Sequence, residues 1–225
     1  MPMTALSDGV SGPTATETMA MISDERRRAA DLIDALTPAQ LDAPSLCGAW
    51  TVRQVAAHLV APFAARRRWF LPILLRSRFN LHEANARLAE MVARRPIGQI
   101  SALLRENAET PFRAPRVGYV GQLTDLQVHG QDIRRPLGLA HELRPDRLRT
   151  SLDFLVCRRA LGFFVRRGLT DGLRFEATDI GWASGEGRVV RGEAEAVMLA
   201  LTGRPAVLAE LSGDGVATLR DRLSR

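Results

Sequence analysis

The chain has 225 residues, of which 46% are hydrophobic, so it is long enough to bury a sizeable core in one or two domains. All 31 basic residues are arginine, and they outnumber the 25 acidic residues to give a formal net charge of +6. Acidic residues are interspersed among the arginines, and aromatic residues make up only 5% of the chain. Because no basic stripe alternates with stacking side chains, the composition argues against a nucleic-acid-binding protein.

The start of the chain and its cysteines indicate where the protein acts. The first 20 residues lack both a basic start and an apolar run, so they are expected to form a flexible leader and not a targeting signal. The longest apolar run, residues 69–75, is bracketed by arginines and is far too short to span a bilayer. Two cysteines, Cys47 and Cys157, are too few for a disulfide framework or a structural zinc cluster. We therefore expect a soluble, cytoplasmic protein with no membrane partner.

Up to residue 142 the sequence has the pattern of amphipathic helices joined by short loops. The first helix is expected to start at Ser23 or Asp24, where a capping residue precedes acidic residues and then apolar residues at helical spacing. Thr51 is expected to cap a second long helix, which Pro62 kinks or ends. Three further helices are predicted over residues 81–93, after Pro96, and within the stretch QLTDLQVHGQDIRRPLG (122–138). This arrangement predicts a helical bundle.

The pattern changes in the last third of the chain. One more helix is predicted from about residue 144 to 168. LRFEATD then alternates like a strand, and GWASGEGRVVRG places a glycine-containing turn before a second apolar pair, which predicts a β-hairpin. Two short helices end the chain. The expected fold is mainly α, with a flexible leader (1–20), a helical bundle (21–142), and a connecting helix followed by a small α/β C-terminal domain (143–225).

Three side chains on two predicted helices could form a metal site. Asp125 and His129 are four residues apart, which places both on one face of a helix, one turn apart, although such pairs are often exposed. His58 lies in the apolar run VAAHLV, where a lone histidine is more often a hydrogen-bonded core residue. A buried set of two imidazoles and one carboxylate would be satisfied by a divalent cation, with zinc favoured and nickel, iron or manganese as alternatives. Three protein ligands leave an open position, as in catalytic sites.

The other polar candidates are weaker. Asp132 could hold His129 in one tautomer through a hydrogen bond, or it could be a surface carboxylate beside the following arginines. Cys47 precedes a helix but has no base beside it in the sequence, so a half-buried structural cysteine is expected. His82 and His141 are expected on the surface. The sequence contains no glycine-rich phosphate loop, nucleophile elbow or Ser-His-Asp order, so no catalytic residue beyond the metal ligands is predicted.

Four stretches occur together in the order of the motifs of one known family. LTPAQLDAPSLCGAWTVRQVAAHLV has a Cys and a Trp just before a TVRxVxAHL helix, and FNLHEANARLA follows it. QLTDLQVHGQDIRRPLG places a carboxylate three intervening residues before a His-Gly-x-Asp segment, and VRGEAEAVMLALTGRPAVLAELSGDG lies near the end. These stretches resemble the mycothiol-dependent maleylpyruvate isomerase family. The first resembles its N-terminal signature and the second its third helix. The third resembles its second metal motif, and the last resembles its C-terminal domain. The resemblance covers nearly everything after residue 20.

The resemblance implies a DinB-like four-helix bundle followed by a small C-terminal domain. It also implies a divalent metal, usually zinc, held by the histidine of AHL and by the carboxylate and histidine of the second motif. Those positions are His58, Asp125 and His129 in this chain, with Asp132 in a supporting role. This sequence departs from the family at the carboxylate, because the family usually has Glu where this chain has Asp125. The shorter side chain leaves two alternatives: the helices lie closer together, or the metal is held more weakly, through a water.

The resemblance also implies a mechanism, in which a thiol at the open metal position loses its proton and the thiolate attacks an electrophilic carbon. In an isomerase the thiolate adds to a conjugated double bond, allows rotation and leaves, whereas in an S-transferase it stays on the substrate. We therefore expect zinc, mycothiol and a small electrophilic substrate, on a monomer or homodimer. Two alternatives stay open: a metal-binding protein of this fold with hydrolase, detoxification or stress-related activity, and a non-catalytic bundle that binds a ligand.

Overall fold

The computed structural model describes residues 12–48, 50–64, 67–78, 80–112, 116–140 and 143–224, without the side chains of residues 67–71, 81 and 82. Ten α-helices lie within these stretches: α1 (Ala15–Ala35), α2 (Pro38–Asp42), α3 (Val52–Ala64), α4 (Arg67–Arg76), α5 (Leu81–Ala93), α6 (Ile97–Glu106), α7 (Gly118–Arg134), α8 (Pro145–Leu155), α9 (Ala194–Leu201) and α10 (Val216–Leu223). Three strands lie between α8 and α9: β1 (Leu173–Ala177), β2 (Trp182–Gly185) and β3 (Arg188–Gly192). The helices predicted over 81–93 and after Pro96 are confirmed as α5 and α6.

The first helix begins earlier than predicted, inside the segment expected to be a flexible leader. Helix α1 starts at Ala15, because Thr14 forms a reciprocal cap with Glu17. The Thr14 hydroxyl accepts a hydrogen bond from the backbone N–H of Glu17, and the Glu17 carboxylate accepts one from the backbone N–H of Thr14. Ser23, one of the two predicted caps, lies in the helix interior, where its hydroxyl donates to the carbonyl of Met19. The start predicted at Ser23 or the next residue is therefore wrong.

Helices α1, α3, α6 and α7 pack around one apolar core, so the helical bundle expected from the sequence is confirmed. Ile33 of α1, Val55 of α3, Leu104 of α6 and Leu123 of α7 are fully buried in it. Helix α5 packs along α3, and α4 packs on α5 through a small separate apolar cluster. No helix among the described residues is both long enough and apolar enough to cross a membrane.

Helix α3, which carries one of the candidate metal ligands, begins as predicted. The Thr51 hydroxyl accepts a hydrogen bond from the backbone N–H of Gln54, and the Gln54 side chain accepts one from the backbone N–H of Thr51. This reciprocal cap fixes the start of the helix directly after the loop that carries Cys47 and Trp50. Pro62 lies inside α3, and residues 65 and 66, which follow the helix, are outside the described part of the chain.

The helix predicted from about 144 to 168 is much shorter. Helix α8 ends at Leu155, and residues 156–168 form consecutive turns closed by a hydrogen bond from the N–H of Gly162 to the carbonyl of Val165. Gly162 has a φ of +79° and Gly168 has a φ of +81°. These left-handed conformations are incompatible with a continuous helix, and glycine adopts them without a steric penalty. The apolar side chains that suggested a helix pack instead against the C-terminal core.

The three strands form one sheet in the order β2-β1-β3, with β1 antiparallel to β2 and parallel to β3. The hairpin predicted between β2 and β3 is therefore wrong, since β1 lies between them and pairs with both. To go from β2 to β3, the chain passes over the start of β1. Gly185 and Gly187 lie at this crossing, with φ values of +85° and +116°. A Cβ atom on Gly187 would lie 2.2 Å from the carbonyl oxygen of Gly172, so only glycine fits this crossing.

A second apolar core lies between α8, α9, α10 and the sheet, and α7 takes part in both cores. Val128 of α7 contacts the second core, whereas Leu123, Leu126 and Ile133 of the same helix contact the bundle core. The two parts of the molecule therefore share a helix, and that helix carries the second predicted metal motif.

Candidate metal centre

The structure brings together the three side chains predicted to bind a metal. His58 extends from α3, and Asp125 and His129 extend from the facing side of α7. The Nε2 atom of His58 lies 3.5 Å from Oδ2 of Asp125, and the Nε2 atom of His129 lies 3.4 Å from Oδ1 of the same carboxylate. One donor atom of each residue lies within 4.8 Å of the other two, and the two imidazole rings meet edge to face.

The carboxylate is the most accessible of the three groups. The side chain of Asp125 is 33% exposed, whereas those of His58 and His129 are 15% and 10% exposed. The α3 residues within three positions of His58 include the buried Val55, Ala56, Leu59 and Val60, so this part of the helix faces the apolar core. A ligand that reaches the three donors therefore approaches from the side of Asp125.

The three groups perturb one another electrostatically. Burial alone would raise the pKa of the Asp125 carboxyl, but the attraction of His129 and of His58 outweighs burial and holds that pKa below its usual range. Burial alone would lower the pKa of His129, but the carboxylate of Asp125 and hydrogen bonds with Asp125 and Asp132 raise it well above its usual value. An ionised carboxylate thus faces a proton-binding imidazole, and a metal cation would replace that proton.

Asp132 supports His129 from the other side of the ring. Its Oδ2 atom lies 2.8 Å from Nδ1 of His129, and its side chain is fully buried, so it is not a surface carboxylate. Arg204 donates to both carboxylate oxygens, at 3.0 Å from Nε and 2.6 Å from Nη2. Burial would raise the pKa of Asp132, but the bonds with His129 and Arg204 outweigh burial and lower it. Asp132 therefore stays ionised and can accept the Nδ1–H of His129.

Arg204 was not predicted from the sequence as part of the site. It follows α9 and lies 72 residues from Asp132 in the chain. The only local signal was its place in the motif LTGRPAV, which resembles the C-terminal domain of the family, and no spacing rule connects it to α7. The C-terminal part of the molecule thus contributes a largely buried cation to the candidate centre in the bundle.

The loop before α3 forms another wall of the centre. The backbone N–H of Leu46 donates to the carbonyl of Asp132, which fixes this loop on the end of α7. The indole of Trp50 lies with its ring centroid 5.3 Å from that of His58 and 6.4 Å from that of His129. Trp50 therefore covers both imidazoles and restricts their exposure to water.

Cys47 lies in the same loop, and its surroundings differ from those expected. The sequence around Cys47 offers no base beside it, and a half-buried structural cysteine is expected there. In the folded chain the sulfur is within 4.8 Å of donor atoms of His129 and Asp132. The loop brings these groups together by folding back onto α7, which is a tertiary contact that sequence spacing does not encode. The predicted half-burial of Cys47 is confirmed.

Two other histidines cannot be placed in the same way. The side chain of His82 and the whole of His141 lie outside the described residues. Their expected surface positions stay predictions.

Two solved structures share this architecture. The crystal structure of the mycothiol-dependent maleylpyruvate isomerase superimposes with a TM-score of 0.60 and 12% sequence identity, over 90% of this chain and 93% of that chain. The crystal structure of a mutant of the same isomerase, with one histidine replaced by alanine, gives a TM-score of 0.53 at 12% identity and the same coverage. At this identity the likeness concerns the fold alone. The protein thus has the fold of these structures, a helical bundle followed by a small α/β C-terminal part.

The sequence itself places the chain in a family. The family described as the mycothiol maleylpyruvate isomerase N-terminal domain matches residues 22–134, which is just over half of the chain and includes His58, Asp125 and His129. The chain belongs to this family. No curated protein gives a significant sequence match.

Proposed function

We propose that this protein is a divalent-metal-dependent enzyme that uses mycothiol as a thiol co-substrate and acts on a small electrophile, as an isomerase or an S-transferase. The observation that carries the proposal is the meeting of His58, Asp125 and His129 at a site that is open on one side. Membership of the mycothiol maleylpyruvate isomerase family supports the thiol and the class of reaction.

The donor set fits zinc. Two imidazole nitrogens and one carboxylate oxygen are ordinary zinc ligands, and three protein ligands leave a position for a thiol. Ligand atoms about 2.0–2.1 Å from a tetrahedral ion lie roughly 3.4 Å from one another. Each imidazole lies near this separation from one oxygen of Asp125, His58 at 3.5 Å from Oδ2 and His129 at 3.4 Å from Oδ1. These distances favour direct binding by Asp125, with the helices close enough to compensate for a side chain shorter than the usual Glu.

The neighbouring residues prepare His129 for this role. Because Asp132 accepts the Nδ1–H of His129, the lone pair of the neutral ring is directed from Nε2 toward Asp125 and His58. Arg204 keeps Asp132 ionised and in place. The hydrogen-bonded chain from Arg204 to His129 therefore fixes both the tautomer and the orientation of a metal ligand.

A bound divalent metal would supply a Lewis acid that favours the thiolate form of the thiol. The protein contributes a shielded surface on one side, where Trp50 covers the imidazoles, and an approach past the partly exposed Asp125. The remaining chemistry is that of the thiol: addition to a conjugated double bond, rotation and elimination isomerise the substrate, whereas retention of the carbon–sulfur bond transfers the thiol.

The metal part of the proposal is tested by elemental analysis of the purified full-length protein and three variants. We expect a stoichiometric divalent metal, chiefly zinc, in the wild type and in the control Asp221→Ala, which changes an exposed carboxylate. We expect loss of that metal in His58→Ala and Asp125→Ala, with circular dichroism showing that both remain folded. Recovery of the same metal from Asp125→Ala would remove Asp125 from the ligand set.

The thiol part is tested with a conjugated keto acid such as maleylpyruvate, which the structurally similar isomerase is named for. We expect double-bond isomerisation, or formation of a thioether adduct, only when both mycothiol and the metal are present. Turnover that does not change when mycothiol is omitted would contradict the proposal and would favour a metal-dependent enzyme of another class.

We also propose that the protein acts in the cytoplasm, since both cysteines are free and low-molecular-weight thiols are kept reduced there. Cell fractionation followed by immunodetection checks this location. A monomer or homodimer stays our prediction for the oligomeric state, which sedimentation analysis would decide.

A further inference from the structure

We propose that Cys47, His129 and Asp132 form a second metal site, selective for thiophilic cations, that shares His129 with the centre described above. One donor atom from each of the three residues lies within 4.8 Å of the other two. Cys47 is half-buried and therefore reachable, whereas His129 and Asp132 are buried. The proposed catalytic chemistry makes no use of the cysteine.

The chemistry of these donors selects soft ions. A thiolate with an imidazole nitrogen binds d10 cations such as Cd2+, Hg2+ and Cu+ in preference to Mg2+, Ca2+ or Mn2+, which favour sets of oxygen ligands. Asp132 already shares both of its oxygens with Arg204, so it is a poor partner for an ion that depends on carboxylate charge. Sulfur and nitrogen must then supply most of the binding, which suits a thiophilic cation.

The cysteine is held in position before any ion binds. The backbone N–H of Cys47 donates to the hydroxyl of Ser45 at 3.1 Å, and the N–H of Leu46 donates to the carbonyl of Asp132, also at 3.1 Å. Because these bonds fix the loop against α7, little backbone rearrangement is needed to bring sulfur and imidazole to one cation.

Sharing His129 has a chemical consequence. A neutral imidazole carries a proton on one of its two nitrogens, so the ring offers one lone pair and serves one cation at a time. A soft ion bound through Cys47 and His129 therefore removes His129 from the set formed with His58 and Asp125. Thiophilic metals would displace the resident metal without competing for all of its ligands.

Cys157 provides a matched internal control. It is also free and half-buried, but it packs against the apolar core of the C-terminal part. Within the described residues it belongs to no group of three metal-binding side chains. A cation that merely sought any accessible thiol would bind both cysteines, whereas the proposed site involves only Cys47.

The test is a Cd2+ titration of the full-length protein, followed by the ultraviolet charge-transfer absorption of the cadmium–thiolate bond. We expect the absorption in the wild type, in Cys157→Ser, and in His58→Ala, which disrupts the first donor set but not the second. We expect its loss in Cys47→Ser and, as a second variant at that position, in Cys47→Ala. Circular dichroism verifies that each variant is folded.

The outcomes separate this proposal from the proposed function. Absorption that persists in both Cys47 variants, or disappears in Cys157→Ser, would overturn the site. Loss of the absorption in His58→Ala would show that the thiolate binds an ion of the first centre and that no second site exists. Release of resident metal from the wild type at lower cadmium concentrations than from Cys47→Ser supports the shared His129, and equal release would refute it.

Discussion

At the scale of single residues, His129 connects the two halves of the candidate centre. Its Nε2 atom faces Asp125, and its Nδ1 atom bonds to Asp132, which is held by Arg204. Spacing along α7 predicted that Asp125 and His129 would share a face, because residues four apart on a helix lie one turn apart. It could not predict Arg204, which reaches the site from a distant part of the chain.

Asp132→Asn should weaken metal binding without removing a ligand. The amide cannot match the charge of the carboxylate, so His129 loses part of its orientation and the largely buried Arg204 loses this counter-ion. Loss of such a supporting carboxylate typically lowers metal affinity by about 10–100-fold. Competition with a chromophoric chelator measures the zinc dissociation constant, with Asp221→Asn as the surface control. Equal affinity in the two variants would mean that Asp132 does not support the ligand.

Arg26 illustrates a buried charge whose role is structural. Burial lowers its pKa to about 10, so it stays protonated at neutral pH. Its guanidinium donates to three backbone carbonyls after α6 and to one side chain of α7: Asn107, Ala108, Thr110 and Gln122. The residue therefore fixes the connection between two helices of the bundle.

Arg26→Met should destabilise the fold by about 3 kcal/mol, because it leaves one buried and two partly buried carbonyls without this donor. Arg27→Met is the neighbouring control: it removes an exposed ion pair with Glu109, and such pairs contribute only about 0–1 kcal/mol. Urea unfolding of both variants measures the difference in the free energy of unfolding. Similar losses in the two variants would contradict the structural role of Arg26.

At the scale of elements, helices were predicted more reliably than strand pairing. Helices α5 and α6 have clear apolar periodicity, and the bounds of α5 and the start of α6 follow from it. The pairing of β1 with both β2 and β3 depends on how the chain crosses the start of β1, and a turn sequence alone does not distinguish that crossing from a hairpin. The glycines at this crossing are therefore positions where the sheet is sensitive to substitution.

Gly187→Ala should cost about 3 kcal/mol of stability, since its Cβ would clash with the Gly172 carbonyl at 2.2 Å and its φ is +116°. Gly181→Ala is the matched control, because that glycine also has a positive φ, +58°, but no atom lies within 4 Å of the added Cβ. Its cost should be about 1 kcal/mol, from the left-handed conformation alone. Thermal unfolding compares the two, and equal shifts in Tm would argue against the close crossing.

At the scale of the whole molecule, α7 couples the bundle to the C-terminal part. Side chains of this one helix contribute to both apolar cores, and Arg204 extends from the C-terminal part to Asp132 on α7. Local opening of either part therefore disturbs the packing of the same helix, and a ligand that stabilises the centre should stabilise both parts.

Zinc at about 100 times its dissociation constant should raise the free energy of unfolding by about 2.7 kcal/mol, if it binds only the folded chain. Because α7 is shared, amide hydrogen exchange should slow in β1 as well as in α3 and α7. Mass-spectrometric exchange with and without zinc measures this by segment. Protection confined to the bundle would indicate that the two parts open independently.

The sequence by itself determined the mainly helical fold, the bounds of α5, the start of α6, and the shared helix face of Asp125 and His129. These features depend on local spacing: a helix repeats every 3.6 residues, so apolar and polar positions a few residues apart carry the information. The place of His58 in the apolar run VAAHLV made it a candidate for the same set, and the ordered motifs supported that set and indicated the family.

Only the tertiary structure decided which distant groups meet. It placed His58 of α3 against α7, brought Arg204 to Asp132, and folded the loop of Cys47 onto the end of α7. It also set the strand order and ended α8 at Leu155. Such contacts join residues far apart in the chain, and they depend on how whole helices and the sheet pack, for which short-range patterns contain no signal.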